Sequence, residues 1–178
     1  MGSDCQPPNC VFVTGPRGAG KTRWMQQCIL RLLEQRPATK CAVLLAEEGR
    51  TRMEGFIEGR AGLIFRKLFL PCLCCSCRSA VAGALRQLSD ANTLEWIFVE
   101  LPAVAAAGMI SELDRTVGAG TFLVVCLNEA WAKARRDNEM MPFQSSLLAV
   151  ASAVVAGSGD VDRVINRLAA GEVSCPTQ

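Results

Sequence analysis

Four apolar or β-branched residues, Val11-Phe12-Val13-Thr14, run directly into Gly15-Pro16-Arg17-Gly18-Ala19-Gly20-Lys21-Thr22, and a helical pattern starting near Trp24-Met25 follows. The eight-residue segment has the spacing G-x-x-x-x-G-K-[ST], and a strand before it and a helix after it are the context that the spacing requires. Glycine leaves no Cβ between the backbone and a bulky anion and accepts positive φ. Successive N–H groups from Gly15, Gly18, Ala19 and Gly20 can therefore turn inward at a helix N-terminus, where the helix dipole favours negative charge. Lys21 adds a mobile cation for the β and γ phosphates, and the Thr22 hydroxyl is the expected Mg2+ ligand. The chain is expected to bind the phosphates of a nucleotide.

The rest of the chain alternates in the same way. Apolar runs at Cys41–Ala46, Trp96–Val99, Thr121–Val125 and Ser152–Ala156 read as further buried strands. Helical spacing fills about 22 to 35, and Val81, Leu85 and Leu88 share one helix face. Helices are also expected at about 103 to 114, 142 to 150 and 160 to 170. Continuously apolar strands alternating with helices predict an α/β fold in three layers, a parallel β-sheet sandwiched by helices. The charged, glycine-rich stretch 47 to 62 reads as a mobile loop. Arg17 reads as solvent-facing and Cys126 as core.

At 178 residues, half of them hydrophobic, the chain is expected to form a single nucleotide-binding domain over 1–178, with flexible ends at 1–9 and 171–178. A net charge of +2 with 20% charged residues provides no broad basic field, so neither nucleic acid nor a membrane surface is an expected partner. The start has no secretory pattern and Leu147–Gly157 is too short to span a bilayer, so a cytoplasmic location is expected.

Histidine is absent and cysteine occurs ten times. No imidazole base is available, and a metal site must draw on thiolates and carboxylates. Cys72, Cys74, Cys75 and Cys77 form C-x-C-C-x-C just before the helix at Val81. Four thiols so close together suit a borderline or soft cation, two or three of them with a ligand from outside being easier geometry than all four. Glu100 closes the strand Trp96–Val99, where a carboxylate is costly unless it meets a cation or accepts hydrogen bonds.

Taken together, Gly15 to Thr22 and the C-x-C-C of Cys72 to Cys75 resemble the CobW/HypB/UreG family of metal-handling P-loop GTPases, in its CobW-like branch, over about residues 10 to 170. The resemblance implies a P-loop NTPase fold that binds GTP, with ATP as an alternative, together with Mg2+. It also implies delivery of Zn2+ or Co2+ to a metal-requiring client protein and a metal- or nucleotide-dependent homodimer. It matches Glu47, in "AEEG", to the family's acid after the second strand, and Glu100 to its E-x-x-G glutamate, with Ala103 in place of the glycine. Lys21, Glu47 and Glu100 are thereby the expected catalytic residues. The guanine-reading N-K-x-D corresponds to Gly157-Ser158-Gly159-Asp160, of which Asp160 alone is kept. Two other functions stay open: a non-hydrolytic module that senses nucleotide or stores metal, and an ATP-dependent small-molecule kinase with Arg50, Arg52 and Arg60 on its lid.

Overall fold

The structure, a computed structural model, describes residues 8–46, 52–68, 76–91, 94–106, 109, 121–157 and 160–170. Six strands make one sheet: β1 Asn9–Thr14, β2 Cys41–Leu45, β3 Leu63–Lys67, β4 Trp96–Glu100, β5 Thr121–Leu127 and β6 Ala153–Ala156. Their order is β3-β2-β4-β1-β5-β6, and every pair is parallel. The helices are α1 Lys21–Gln35, α2 Glu54–Ile57, α3 Ser76–Ala91, α4 Glu129–Arg136, α5 Pro142–Ala149 and α6 Val161–Ala169.

Period-two geometry sorts each strand between two cores. Phe12, Ile97, Val99, Leu123 and Val125 face α3, α4 and α5 through Val81, Leu85, Leu88, Trp131 and Leu147. Val11, Val13, Phe98, Phe122 and Val124 face α1 and α6 through Trp24, Met25, Ile29, Leu32, Val164 and Ile165. The central strands are apolar on both faces because both faces are covered. Each large apolar side chain fully removed from water contributes about 1.5–3 kcal/mol.

Three features depart from the reading of the sequence. The sheet has a sixth strand, β3, on its edge; four of its residues are half-buried and Arg66 is exposed, and Arg66-Lys67 dilutes its apolar run. The stretch read as a mobile loop is partly folded: α2 lies inside it, Met53 is fully buried, and Gln26 Nε2 donates to the Arg52 carbonyl at 3.2 Å. Helix α4 is absent from the reading of the sequence; it spans eight residues with one buried, Trp131, too few apolar positions to repeat over several turns. Of the helix expected at 103 to 114, residues 103–106 and 109 are helical and the others lie outside the described residues.

Because all strands are parallel, their carboxyl ends line one edge of the sheet. β1 sits there between β4 and β5, where chain order diverges to the two sides, and ligands of such sheets bind in the crevice at that point.

Candidate phosphate-binding site

The loop leaving β1 is shaped by close packing on one side and open space on the other. Gly15 has φ +140°, and a Cβ there would lie 2.1 Å from the carbonyl oxygen of Cys126 on β5, so only glycine fits. Gly18 and Gly20, at φ +75° and +79°, are left-handed with nothing within 4 Å of an added Cβ. Alternation of left- and right-handed residues gathers backbone N–H groups into an anion-binding concavity. Ala19 is buried, and its N–H donates to the Pro16 carbonyl at 3.3 Å.

Helix α1 starts at this concavity without a side-chain cap and without an acidic residue in its first turn; its N-cap is Gly20. An unsatisfied helix N-terminus over a glycine loop is suited to phosphate. Arg17 points to solvent, as its place in the loop predicts.

Lys21 and Thr22, the first residues of α1, are buried beneath the loop. Lys21 Nζ donates to the carbonyls of Gly15 at 3.1 Å and Pro16 at 3.2 Å and stands 4.0 Å from Glu100 Oε1. Thr22 Oγ1 donates to Glu100 Oε2 at 2.7 Å. Glu100 ends β4 beside β1, in register with Val13, and is only 2% exposed. A carboxylate so deep is tolerable because an ammonium and a hydroxyl meet it. Lys21, Thr22 and Glu100, predicted as site residues, thus form one polar cluster under the loop.

Mg2+ takes hard oxygen ligands and keeps several waters. The Thr22 hydroxyl and the Glu100 carboxylate, adjacent beneath an anion-shaped loop, are that kind of donor set, so the residues fit the Mg2+-nucleotide that the motif implies.

The Cys126 thiol, behind Gly15, is core as read from the sequence. Burial pushes it up to about 12, with Lys21 lowering it and Glu100 raising it to smaller extents. Cys41 is likewise pushed up to about 12, chiefly by burial. Such thiols are inert structural groups.

The other candidate residues fare differently. Asp160 precedes α6 beyond the carboxyl end of β6; it is exposed, has φ 68°, and pairs with Arg163 Nη2 at 3.4 Å. It lies on the site's edge of the sheet, two strands from β1. Glu47, Cys72, Cys74 and Cys75 lie outside the described residues, and Cys77 is described only as backbone, the second residue of α3. Among the described residues no group of three or more Cys, Asp or Glu is placed to hold a metal ion. Lys67 is in register with Leu45, and Leu45 with Glu100. Lys67, the last residue of β3, therefore lies two strand spacings, about 10 Å, from Glu100. Of the supposed lid arginines, Arg60 stacks on Phe56, 4.4 Å from the ring centroid, and donates to the Phe56 carbonyl, a local contact.

One residue beside the loop escaped the sequence reading. Asn128, directly after β5, accepts from Trp131 N–H through Oδ1 at 3.0 Å and donates from Nδ2 to the Arg17 carbonyl at 3.5 Å. An asparagine between an apolar strand and a helix opening with glutamate is a legible N-cap signal; its reach to residue 17 is not legible.

A parallel three-layer sheet with this loop after β1 defines the P-loop NTPase fold. Among solved structures, a de novo designed P-loop NTPase fold protein is similar, with TM-score 0.56 and 12% identity over 96% of this chain and 96% of that one. The signal recognition particle receptor FtsY from Elizabethkingia anophelis is also similar, with TM-score 0.57 and 16% identity, covering 94% of this chain and 56% of the receptor; its complex with GDP gives TM-score 0.55. At these identities the likeness is one of fold. The CobW/HypB/UreG nucleotide-binding domain matches residues 9–164, and the chain belongs to that family. No curated protein sequence matches it. Among the described residues no helix is long and apolar enough to cross a membrane.

Proposed function

We propose that this chain binds GTP with Mg2+, hydrolyses it, and couples hydrolysis to the binding or delivery of a zinc or cobalt ion carried by Cys72, Cys74, Cys75 and Cys77. The observation that carries the nucleotide half is the buried Lys21–Thr22–Glu100 cluster beneath a loop whose helix has no side-chain cap. Membership of the CobW/HypB/UreG family and the fold shared with a receptor solved with GDP support it.

In this reading the amides of Gly18 and Gly20 meet the phosphates, joined by that of Ala19 once it leaves the Pro16 carbonyl, and Lys21 exchanges the Gly15 and Pro16 carbonyls for the β and γ oxygens. Thr22 and Glu100 would hold Mg2+, which supplies charge neutralisation for the developing phosphate oxyanions. With no histidine in the chain, Glu47 or Glu100 orients the attacking water, since phosphoryl transfer rests mainly on positioning and charge. The metal half rests on the C-x-C-C spacing of Cys72 to Cys75 and on membership of the CobW/HypB/UreG family. The metal ion is cargo, handed to a client protein, and the same site can bring two copies together.

A second reading, a module that binds nucleotide without turnover, is favoured by one observation. After Glu100 the chain turns at once into helix at 103–106, where Ala105 and Ala106 N–H groups donate to the Pro102 carbonyl, each at 3.1 Å. Ala103, where the family has glycine, packs against the core. Release of labelled phosphate from GTP, with and without zinc, decides between them. Zinc-stimulated turnover above a Lys21→Ala control supports the GTPase, and none supports the module. Zinc analysis of wild type and Cys74→Ser, with and without GTP, tests the cargo; equal zinc in the two proteins would remove that half.

A further inference from the structure

The phosphate loop is braced from β5 at two points. The first is steric: the Cys126 carbonyl fills the space where a side chain on Gly15 would stand. The second is polar and lies two residues on, where Asn128 Nδ2 donates to the carbonyl of Arg17 at 3.5 Å. The orientation of this amide is fixed by its surroundings. Oδ1 accepts from the Trp131 N–H, so the donor end must face Arg17, and the flipped amide would oppose donor to donor and acceptor to acceptor.

The brace starts from a rigid support. Trp131 is buried and meets Phe143 edge-on, with ring centroids 6.1 Å apart. Glu129 in the first turn and Lys133, Arg135 and Arg136 in the last complement the dipole of α4. What is braced is soft by comparison. Gly18, next to the held carbonyl, has no neighbour within 4 Å of a Cβ position, and glycine accepts either sign of φ at little cost. Packing around Gly18 therefore does not by itself fix the plane of the Arg17–Gly18 peptide.

A trans peptide points its C=O and N–H to opposite sides. A hydrogen bond that holds the Arg17 carbonyl toward Asn128 thereby turns the Gly18 N–H the other way. We infer that Asn128 is a positioning residue of the nucleotide site: it sets the Arg17–Gly18 peptide plane, so that the Gly18 amide is presented to phosphate before the nucleotide arrives. The inference rests on the nucleotide reading of the loop. It gives Asn128 two separable tasks, capping α4 through Oδ1 and holding the loop through Nδ2.

Serine and threonine separate the tasks. Each is neutral, each can accept the Trp131 N–H as an N-cap, and each is too short to reach Arg17, whereas alanine does neither. Binding of fluorescent mant-GTP with Mg2+, displaced by unlabelled GTP, is measured beside thermal melting for wild type and the Asn128→Ser, Asn128→Thr and Asn128→Ala variants. Serine and threonine are expected to weaken GTP binding by about three- to tenfold at an almost unchanged melting temperature, the scale of one hydrogen bond. Alanine is expected to weaken binding as much and to melt lower as well. GTP binding at wild-type strength in the serine and threonine variants overturns the inference, because capping alone would then account for the residue. A wild-type chain that binds neither GTP nor ATP overturns the nucleotide reading and this inference with it.

Discussion

The hydroxyl of Thr22 donates to the carboxylate of Glu100 across 2.7 Å, joining the first turn of α1 to the end of β4 over 78 residues of sequence. Lys21 stands 4.0 Å from the other carboxylate oxygen, and all three residues are buried. The members of this cluster satisfy one another here, and in the proposed reading they are the groups that would turn toward Mg2+ and phosphate.

The first expectation concerns this cluster. Glu100→Gln keeps an acceptor for Thr22 but removes the charge, so the gain in GTP affinity on adding Mg2+ should fall at least about tenfold, while binding without Mg2+ changes little. Lys21→Ala leaves Glu100 buried without its cation and should cost about 3–5 kcal/mol of stability, besides weakening nucleotide. Titrations with and without EDTA and denaturant unfolding read the two effects; an unchanged Mg2+ dependence in Glu100→Gln would separate Glu100 from the metal.

Two glycines of the loop should respond in opposite ways. Gly15→Ala drives a Cβ to 2.1 Å from the Cys126 carbonyl, a backbone atom that cannot yield, and should abolish soluble folded protein or lower its melting temperature steeply. Gly18→Ala meets no atom and pays only for its left-handed φ, about 1–2 kcal/mol. Comparable melting temperatures for the two variants would contradict the packing of the loop on β5.

Stability should fall on the alkaline side. Cys41 and Cys126 are each raised from 9.0 to about 12, chiefly by burial. Burial also drives Cys28 upward, with Cys126 and Asp162 adding to it. The unfolded chain loses these protons first, so the folded state binds more protons between pH 9 and 12. The contribution is complete below pH 9 and is lost above it by about 1.4 kcal/mol per pH unit for each thiol. The chain has no tyrosine and no histidine to blur the effect. Melting temperature followed from pH 8 to 11 should drop above 9, less steeply for Cys126→Ala; parallel curves would show that this thiol does not take part.

Base selectivity should be shallow. Asp160 is exposed and engaged by Arg163 at 3.4 Å, and the positions beside it carry neither the asparagine nor the lysine of a guanine motif. GTP and ATP should compete for the site within about tenfold of each other, since one exposed carboxylate supplies at most one or two hydrogen bonds of discrimination. A preference for GTP of a hundredfold or more would require contacts beyond Asp160.

The sequence alone determined the loop, the strand on either side of the first helix, and the three-layer α/β plan. Those features are written in neighbouring residues: glycines at fixed offsets, runs of Val, Ile, Leu and Phe long enough for a strand buried on both faces, and helical spacing between them. It also singled out Lys21, Thr22 and Glu100 separately. Their meeting, the edge position of β3, the seat of Gly15 on Cys126 and the reach of Asn128 to Arg17 were decided only by the tertiary structure. Each of these depends on which strands become neighbours, β1 with β4 and β5 above all. Such pairings are settled by burying both sheet faces at once across the whole chain, and no local pattern of residues encodes them.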